Sequence, residues 1–154
     1  MGIYTAGKMG LWEGGIREPA FIRWQGKIKP NSVTNQVLTT MDWTATILTV
    51  AGAKPALGFP LDGIDLMPVC LGKKKEFDRT LYWRISQRNQ HKAMRDGNWK
   101  YLQDEKGHEY LFDLAKDPGE KNNLKEKEIQ LFNSLKQKYG EWEKTVLTPV
   151  PLGK

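Results

Sequence analysis

Cysteine and histidine are the scarcest chemistry-bearing residues in this sequence of 154: one cysteine, Cys70, and two histidines, His91 and His108. A single thiol excludes a disulfide framework and any zinc site built on several cysteines. Two imidazoles leave little for a self-contained triad or histidine metal site. No apolar run approaches the roughly 20 residues that cross a bilayer. The opening Met1-Gly2-Ile3-Tyr4-Thr5 lacks a basic n-region and an apolar h-region, so these residues are not expected to be a signal peptide. Internal repeats and low-complexity tracts are absent too. What is present is 39% hydrophobic residues and 10% aromatic, six of them Trp. That composition suits a buried core rather than a disordered chain. The length fits one domain or two small ones. A small soluble domain is the expectation, and a complete hydrolase is not.

Charge is unevenly spread. The net charge is +6. Residues 1–70 carry six Lys/Arg against five Asp/Glu, and residues 71–154 carry eighteen against thirteen. Such an excess admits an anionic partner: nucleic acid, membrane or a sulfated or phosphorylated sugar. The plainer account is solvated surface, because Lys73-Lys74-Lys75 falls in a loop-like stretch and other lysines alternate with Glu. Neither a nucleic acid nor a membrane is expected as partner.

Along the chain, Glu13-Gly14-Gly15 reads as a flexible turn where the backbone can be approached closely. Pro19-Ala20-Phe21-Ile22-Arg23-Trp24 reads as a strand buried on both faces. A helix follows, with Thr39 as N-cap, Asp42 completing a capping box and Gly52 as stop. Residues 53–79 are rich in Pro and Gly and suggest a seam between two substructures. Strands are expected over 80–85, 91–95, 99–102 and 109–114, with Asp96-Gly97-Asn98 as a hairpin turn. Asp117-Pro118-Gly119-Glu120 ends the sheet. Ile129, Phe132, Leu135, Tyr139, Trp142 and Val146 step by three or four and predict a helix over about 125–146.

Considered one by one, the candidate functional residues have plain structural accounts. Lys8 beside glycine-rich backbone suits an anion, but a surface lysine is the simpler reading. Trp99-Lys100 reads as a core Trp with an exposed Lys. His91 and His108 sit at strand starts, where solvated histidines are common. Asp62, Asp65, Asp113 and Asp117 form a possible cation cluster, although three of them have turn or cap roles. Cys70 has no activating neighbour and reads as a small buried hydrophobe.

Taken together and in order, these segments resemble the C-terminal portion of the sulfatase family. Lys8 to Pro19 resembles its Lys-x-x-x-x-Glu-Gly-Gly-x-Arg-x-Pro element. Thr40-Met41-Asp42-Trp43 with Asp62-Gly63-Ile64-Asp65-Leu66-Met67-Pro68 resembles the helix and the motif that follow it. Arg95-Asp96-Gly97-Asn98-Trp99-Lys100 resembles the late hairpin. Leu111-Phe112-Asp113-Leu114, Asp117-Pro118-Gly119-Glu120 and Asn123-Leu124 resemble the terminal turn.

The resemblance implies an α+β chain. Residues 1–70 would be the tail of an alkaline-phosphatase-like α/β domain, and 71–154 a small antiparallel sheet with a packed C-terminal helix. It also implies sulfate-ester hydrolysis by a formylglycine nucleophile with calcium, and it maps the family's sulfate-contacting lysine onto Lys8. A cation there would contribute a few kcal/mol of charge stabilisation, on the oxyanion-hole scale. Glu13, Gly14, Gly15 and Arg17 would shape that loop. The nucleophile motif, Cys/Ser-x-Pro/Ala-x-Arg, is not met: Gly72 and Lys74 follow Cys70 at its Pro/Ala and Arg places. The calcium carboxylates have no counterpart either, so no metal site is expected in this chain. Formylglycine and calcium are expected in an N-terminal sulfatase region that would be the chain's partner. The substrate would be an aryl or sugar sulfate ester. The alternative is a non-catalytic module that binds sulfated glycan or another polyanion. Residues 17–52 are expected to expose apolar surface and favour self-association. The compartment is left open by a family that is periplasmic, secreted or lysosomal.

Overall fold

A computed structural model describes residues 2–85 and 91–146. In chain order its elements are α1 (Glu13–Ile16), α2 (Thr40–Val50), α3 (Met67–Cys70), β1 (Thr80–Arg84), β2 (Lys92–Asp96), β3 (Trp99–Gln103), β4 (Glu109–Asp113) and α4 (Ile129–Glu143). They fall into two compact units, Met1–Pro19 with Asp78–Lys154, and Ala20–Phe77. The end of the second expected segment, 147–154, lies outside the described residues.

In the first unit the four strands form one antiparallel sheet in the order β1-β2-β3-β4. Gly97 and Asn98 make the β2–β3 turn. Gly97 has φ 57°, a left-handed backbone that glycine adopts without a Cβ penalty. Asp96 is paired with Trp99 and Met94 with Tyr101, so the register alternates two faces. One face carries Met94, Tyr101 and Leu111, which pack on Phe132, Leu135 and Tyr139 of α4. The other carries Ala93, Leu102 and Phe112, which pack with Leu11 and Leu114, flanked by Trp12 and Ile16. The sheet is therefore covered on both sides: by α4, as the helical stripe predicts, and by the N-terminal segment. Helix α4 begins at Ile129 rather than near 125, because residues 125–128 are turns. Glu13-Gly14-Gly15, expected as a turn, is instead the first three residues of the short helix α1.

In the second unit α2 begins where the capping box places it. Asp42 Oδ2 accepts the Thr39 N–H at 2.6 Å and the Thr39 hydroxyl at 3.3 Å. The loop after α2 is held against its polar side. Asp42 Oδ1 accepts the Ile64 N–H at 2.9 Å, and Thr46 Oγ1 accepts the Leu66 N–H at 2.9 Å. Gly63 lies so close to the Met41 carbonyl that any side chain there would collide with the helix backbone. Asp65 Oδ1 accepts the Met67 N–H at 2.8 Å at the start of α3. The helix thus buries Asp42, Ala45 and Thr46 while Met41, Ile47 and Val50 are exposed.

The buried strand expected over 19–24 is not found: those residues carry no strand pairing, and Phe21 is 90% exposed. A strand needs hydrogen-bonded neighbours, and the four described strands pair only with one another. None of the described helices is long and apolar enough to cross a membrane.

Candidate functional site

Lys8 sits in a turn closed by the Gly10 N–H donating to the Gly7 carbonyl at 3.3 Å. Two non-glycine residues beside it, Ala6 (φ 56°) and Met9 (φ 74°), adopt the left-handed region. That conformation costs of order 1 kcal/mol or more per residue and persists only where surroundings impose it. The constraints are visible. The Gly14 N–H donates to the Thr5 carbonyl at 3.0 Å. The Leu11 N–H donates to His91 Nδ1 at 3.3 Å. A Cβ on Gly14 would strike the carbonyls of Thr5 and Ala6, and one on Gly15 those of Gly7 and Gly10. The paired glycines therefore let the Lys8 turn lie directly on α1. Lys8 itself is exposed and makes no hydrogen bond or ion pair among the described residues.

Beneath this turn lies a buried ionic cluster. Lys100 projects from the β3 face that carries Leu102 and is 0% exposed. Its ammonium contacts Glu13 Oε1 at 2.8 Å and Glu120 Oε1 at 2.7 Å. Glu120 Oε2 also accepts the Glu13 N–H at 2.6 Å, at the first residue of α1. Arg17 reaches Glu13 Oε2 at 3.5 Å. Burial pushes the Glu120 carboxyl above its ordinary value, against the pull of the Lys100 ammonium. The exposed Lys100 read from sequence is thus corrected. Its charge is compensated by two carboxylates, one of them 87 positions away, whose approach only the fold brings about.

His91 is corrected as well. It is buried, not solvated. Its Nδ1 accepts the Leu11 N–H, so Nε2 is the nitrogen that carries the proton. That Nε2 faces Glu105 Oε2 at 3.3 Å. His108 does lie exposed, in the β3–β4 turn, with Nδ1 3.1 Å from Asp104 Oδ2. Asp104 also accepts the Tyr110 hydroxyl at 3.0 Å and the N–H groups of Lys106 and His108, each at 2.9 Å. Burial alone would raise its pKa, but these donors outweigh burial and hold it below the ordinary value. The Lys8 turn and the β3–β4 turn enclose a cleft of about 420 Å³, floored by Trp12 and Tyr110.

Three of the four acidic residues considered as a cation cluster are used locally. Asp65, Asp113 and Asp117 accept backbone N–H groups of Met67, Ala115 and Lys121. No group of three or more His, Cys, Asp or Glu that could hold a metal ion occurs among the described residues. This donor set does not fit calcium. Burial raises the Cys70 thiol pKa, which disfavours a thiolate nucleophile. Many second-half lysines are committed to ion pairs: Lys92 with Glu143, Lys116 with Asp113, Lys136 with Glu109, Lys138 with Asp96. Lys73-Lys74-Lys75 is exposed, with Lys74 over the Phe77 ring at 3.9 Å.

A four-stranded antiparallel sheet covered by a terminal helix is the arrangement that the comparisons with known proteins share. The family model of N-sulphoglucosamine sulphohydrolase, C-terminal, matches residues 5–145, and the chain belongs to this family. It is 34% identical to human (Homo sapiens) arylsulfatase A over 148 residues, covering 80% of this chain and 29% of that protein. It is 44% identical to rat (Rattus norvegicus) steryl-sulfatase over 71 residues, covering 46% and 12%. It is 39% identical to mouse (Mus musculus) N-acetylgalactosamine-6-sulfatase over 82 residues, covering 53% and 16%. The chain therefore spans less than a third of each of these relatives.

Among solved structures, one from Bacteroides thetaiotaomicron, concerned with metabolism of multiple glycosaminoglycans, superposes with a TM-score of 0.78 at 24% identity, covering 92% of this chain and 32% of that one. Ps i-CgsB in complex with k-i-k-neocarrahexaose gives 0.79 at 24% identity, covering 90% and 31%. These likenesses show the fold: a small antiparallel sheet with a C-terminal helix.

Proposed function

We propose that the chain acts as the C-terminal part of a sulfatase that hydrolyses sulfate esters, presenting Lys8 to the sulfate oxygens. One observation carries this reading. Lys8 has no partner among the described residues, yet its turn is held in a costly backbone conformation by Gly14, Gly15 and His91. A surface lysine with no task does not need such support. A fixed ammonium offers charge stabilisation where negative charge develops on transferred oxygens. The nucleophile and calcium would be supplied by a sulfatase region outside residues 1–154, and no step through either is derived from the residues present. Polyanion binding through the second half draws less support, because so many of its lysines are already paired with carboxylates.

The test is titration of the chain with inorganic sulfate, followed by the amide resonances of Gly7 and Gly10. A saturable shift is expected, absent in Lys8→Ala and partly kept in Lys8→Arg. Because Lys8 is exposed, Lys8→Ala should leave stability within about 0.5 kcal/mol. A response indifferent to Lys8 sinks the reading. So does sulfate-ester turnover by this chain alone, with calcium, that Lys8→Ala abolishes, since the nucleophile would then be here.

A further inference from the structure

Among the contacts that hold the Lys8 turn, one ends on an imidazole, the side chain whose charge changes near neutral pH. The Leu11 N–H donates to His91 Nδ1 at 3.3 Å, across 80 positions of sequence. Leu11 is not free to follow a moving acceptor. It is buried and packs with Ala93, Leu102, Phe112 and Leu114, and Gly10 before it closes the turn onto the Gly7 carbonyl. His91 is buried as well, and its Cε1 lies 3.6 Å from the place a Cβ on Gly10 would take. The ring is wedged against the turn.

Only the neutral ring suits this position. With Nδ1 accepting from Leu11, the one ring proton sits on Nε2, 3.3 Å from Glu105 Oε2. A second proton would go to Nδ1, where it meets the Leu11 N–H. Two donors would then face each other with no acceptor between them, and the buried amide would lose its partner. The charges around the ring do not settle its state. From the β3–β4 wall of the cleft, Glu105 and Asp104 favour an imidazolium and Lys106 opposes it; from the opposite turn, Lys8 opposes it too. His108, the other imidazole in that wall, is held by Asp104.

The geometry points to His91 as a positioning residue that makes the Lys8 turn sensitive to pH. With the ring neutral, the Leu11 N–H is held and Lys8 stands fixed for an anion. With the ring protonated, that bond is lost, and the left-handed Ala6 and Met9 lose part of the support that holds them. Proton uptake at His91 and sulfate binding at Lys8 therefore oppose each other. The sign is distinctive, because acidification neutralises carboxylates and ordinarily strengthens the hold on an anion. The inference rests on the Lys8 reading and adds its regulation.

The experiment uses the full chain carrying His108→Asn, which leaves His91 as its one histidine. Without sulfate, the amide resonances of Gly7, Gly10 and Leu11 should move in step with the His91 ring between pH 8 and pH 5. With inorganic sulfate as probe, affinity should fall about tenfold from pH 7.5 to pH 5.5, the scale of one lost hydrogen bond. His91→Asn puts an Oδ1 acceptor where Nδ1 stands and does not titrate. It should keep the affinity seen at pH 7.5 and hold it to within about twofold at pH 5.5. His91→Leu offers no acceptor and should bind at pH 7.5 as weakly as the parent does at pH 5.5. Sulfate binding that is unchanged or tighter at pH 5.5, turn amides that ignore the His91 ring, or a fall that persists in His91→Asn overturns the assignment and leaves Lys8 standing. Should His91→Asn fail to fold, the joint titration of ring and amides in the parent decides. No sulfate response at any pH removes the Lys8 reading and the regulation with it.

Discussion

Lys100 holds a charge at zero exposure between Glu13 and Glu120, and this contact joins three stretches of the chain: β3, the start of α1 and the Asp117–Glu120 turn. Glu120 reaches it from a left-handed conformation, φ 55°. The turn that brings it there is fixed by Asp117 Oδ2, which accepts the N–H groups of Lys121 and Asn122 at 2.8 and 2.7 Å. A buried ion pair gives little net stability over apolar packing, but removing one partner strands the other charge. Lys100→Met leaves buried Glu120 without a cation and Glu13 with only the partly exposed Arg17, so it should destabilise the fold by about 3–5 kcal/mol. Chemical denaturation measures this directly, and a change below about 1 kcal/mol would show that the cluster is not buried as described. Glu120→Gln should be milder, because Glu13 still faces the ammonium and burial already disfavours the Glu120 charge. Since Glu13 opens α1, damage at Lys100 should also loosen the Lys8 turn and weaken the sulfate response without touching Lys8.

At the scale of elements, α4 is clamped to the sheet by several ion pairs, and Glu109 gathers more than one of the contacts. Glu109 of β4 takes Lys136 of α4 at 2.7 Å and the Tyr101 hydroxyl of β3 at 2.9 Å. Burial alone would raise its pKa, but Lys136, Tyr101 and Lys125 outweigh burial and hold it below the ordinary carboxylate value. The sign follows by linkage. A carboxyl whose folded pKa is depressed contributes stability above the unfolded pKa, and that contribution is lost as pH falls through the folded pKa. Glu109→Gln should therefore lower stability at neutral pH and flatten the decline below about pH 4.3. Unfolding curves between pH 7 and pH 3 check it, and an unchanged acid slope would assign that slope to other carboxylates such as Asp96 or Asp104. The elements that sequence made legible are those with local signals: the Gly97 turn, the Thr39–Asp42 box and the stripe of Phe132, Leu135 and Tyr139. Each is decided within a few residues. The one-turn helix at Glu13 was hidden, because two consecutive glycines ordinarily mark a turn. Its reason lies in the carbonyls of residues 5–10 that rest on them.

Over the whole molecule the same division holds for the candidate site. Lys8 and Glu13-Gly14-Gly15 could be singled out as a pattern, since glycines beside a lysine invite close backbone approach. His91, Lys100 and the β3–β4 wall could not, because their roles depend on contacts with segments 80 or more residues away or across a strand pair. The second unit poses a different question. It turns the polar side of α2 inward and leaves apolar side chains in solvent: Phe21, Val33, Ile47, Leu57 and Phe59 are all exposed. Isolated exposed apolar residues are ordinary, but so many large ones on the short Ala20–Phe77 unit mark a surface suited to burial against protein. At high concentration a second copy of this chain is the cover at hand, so self-association is expected. Light scattering should show a mass above that of the monomer, rising with concentration. Phe21→Ser with Ile47→Glu should shift the population to monomer while leaving the unfolding of the sheet unit unchanged, because both positions lie in Ala20–Phe77 and neither contributes to the sheet core. A monodisperse wild-type monomer at high concentration would contradict the expectation and show that water alone is an adequate solvent for that face.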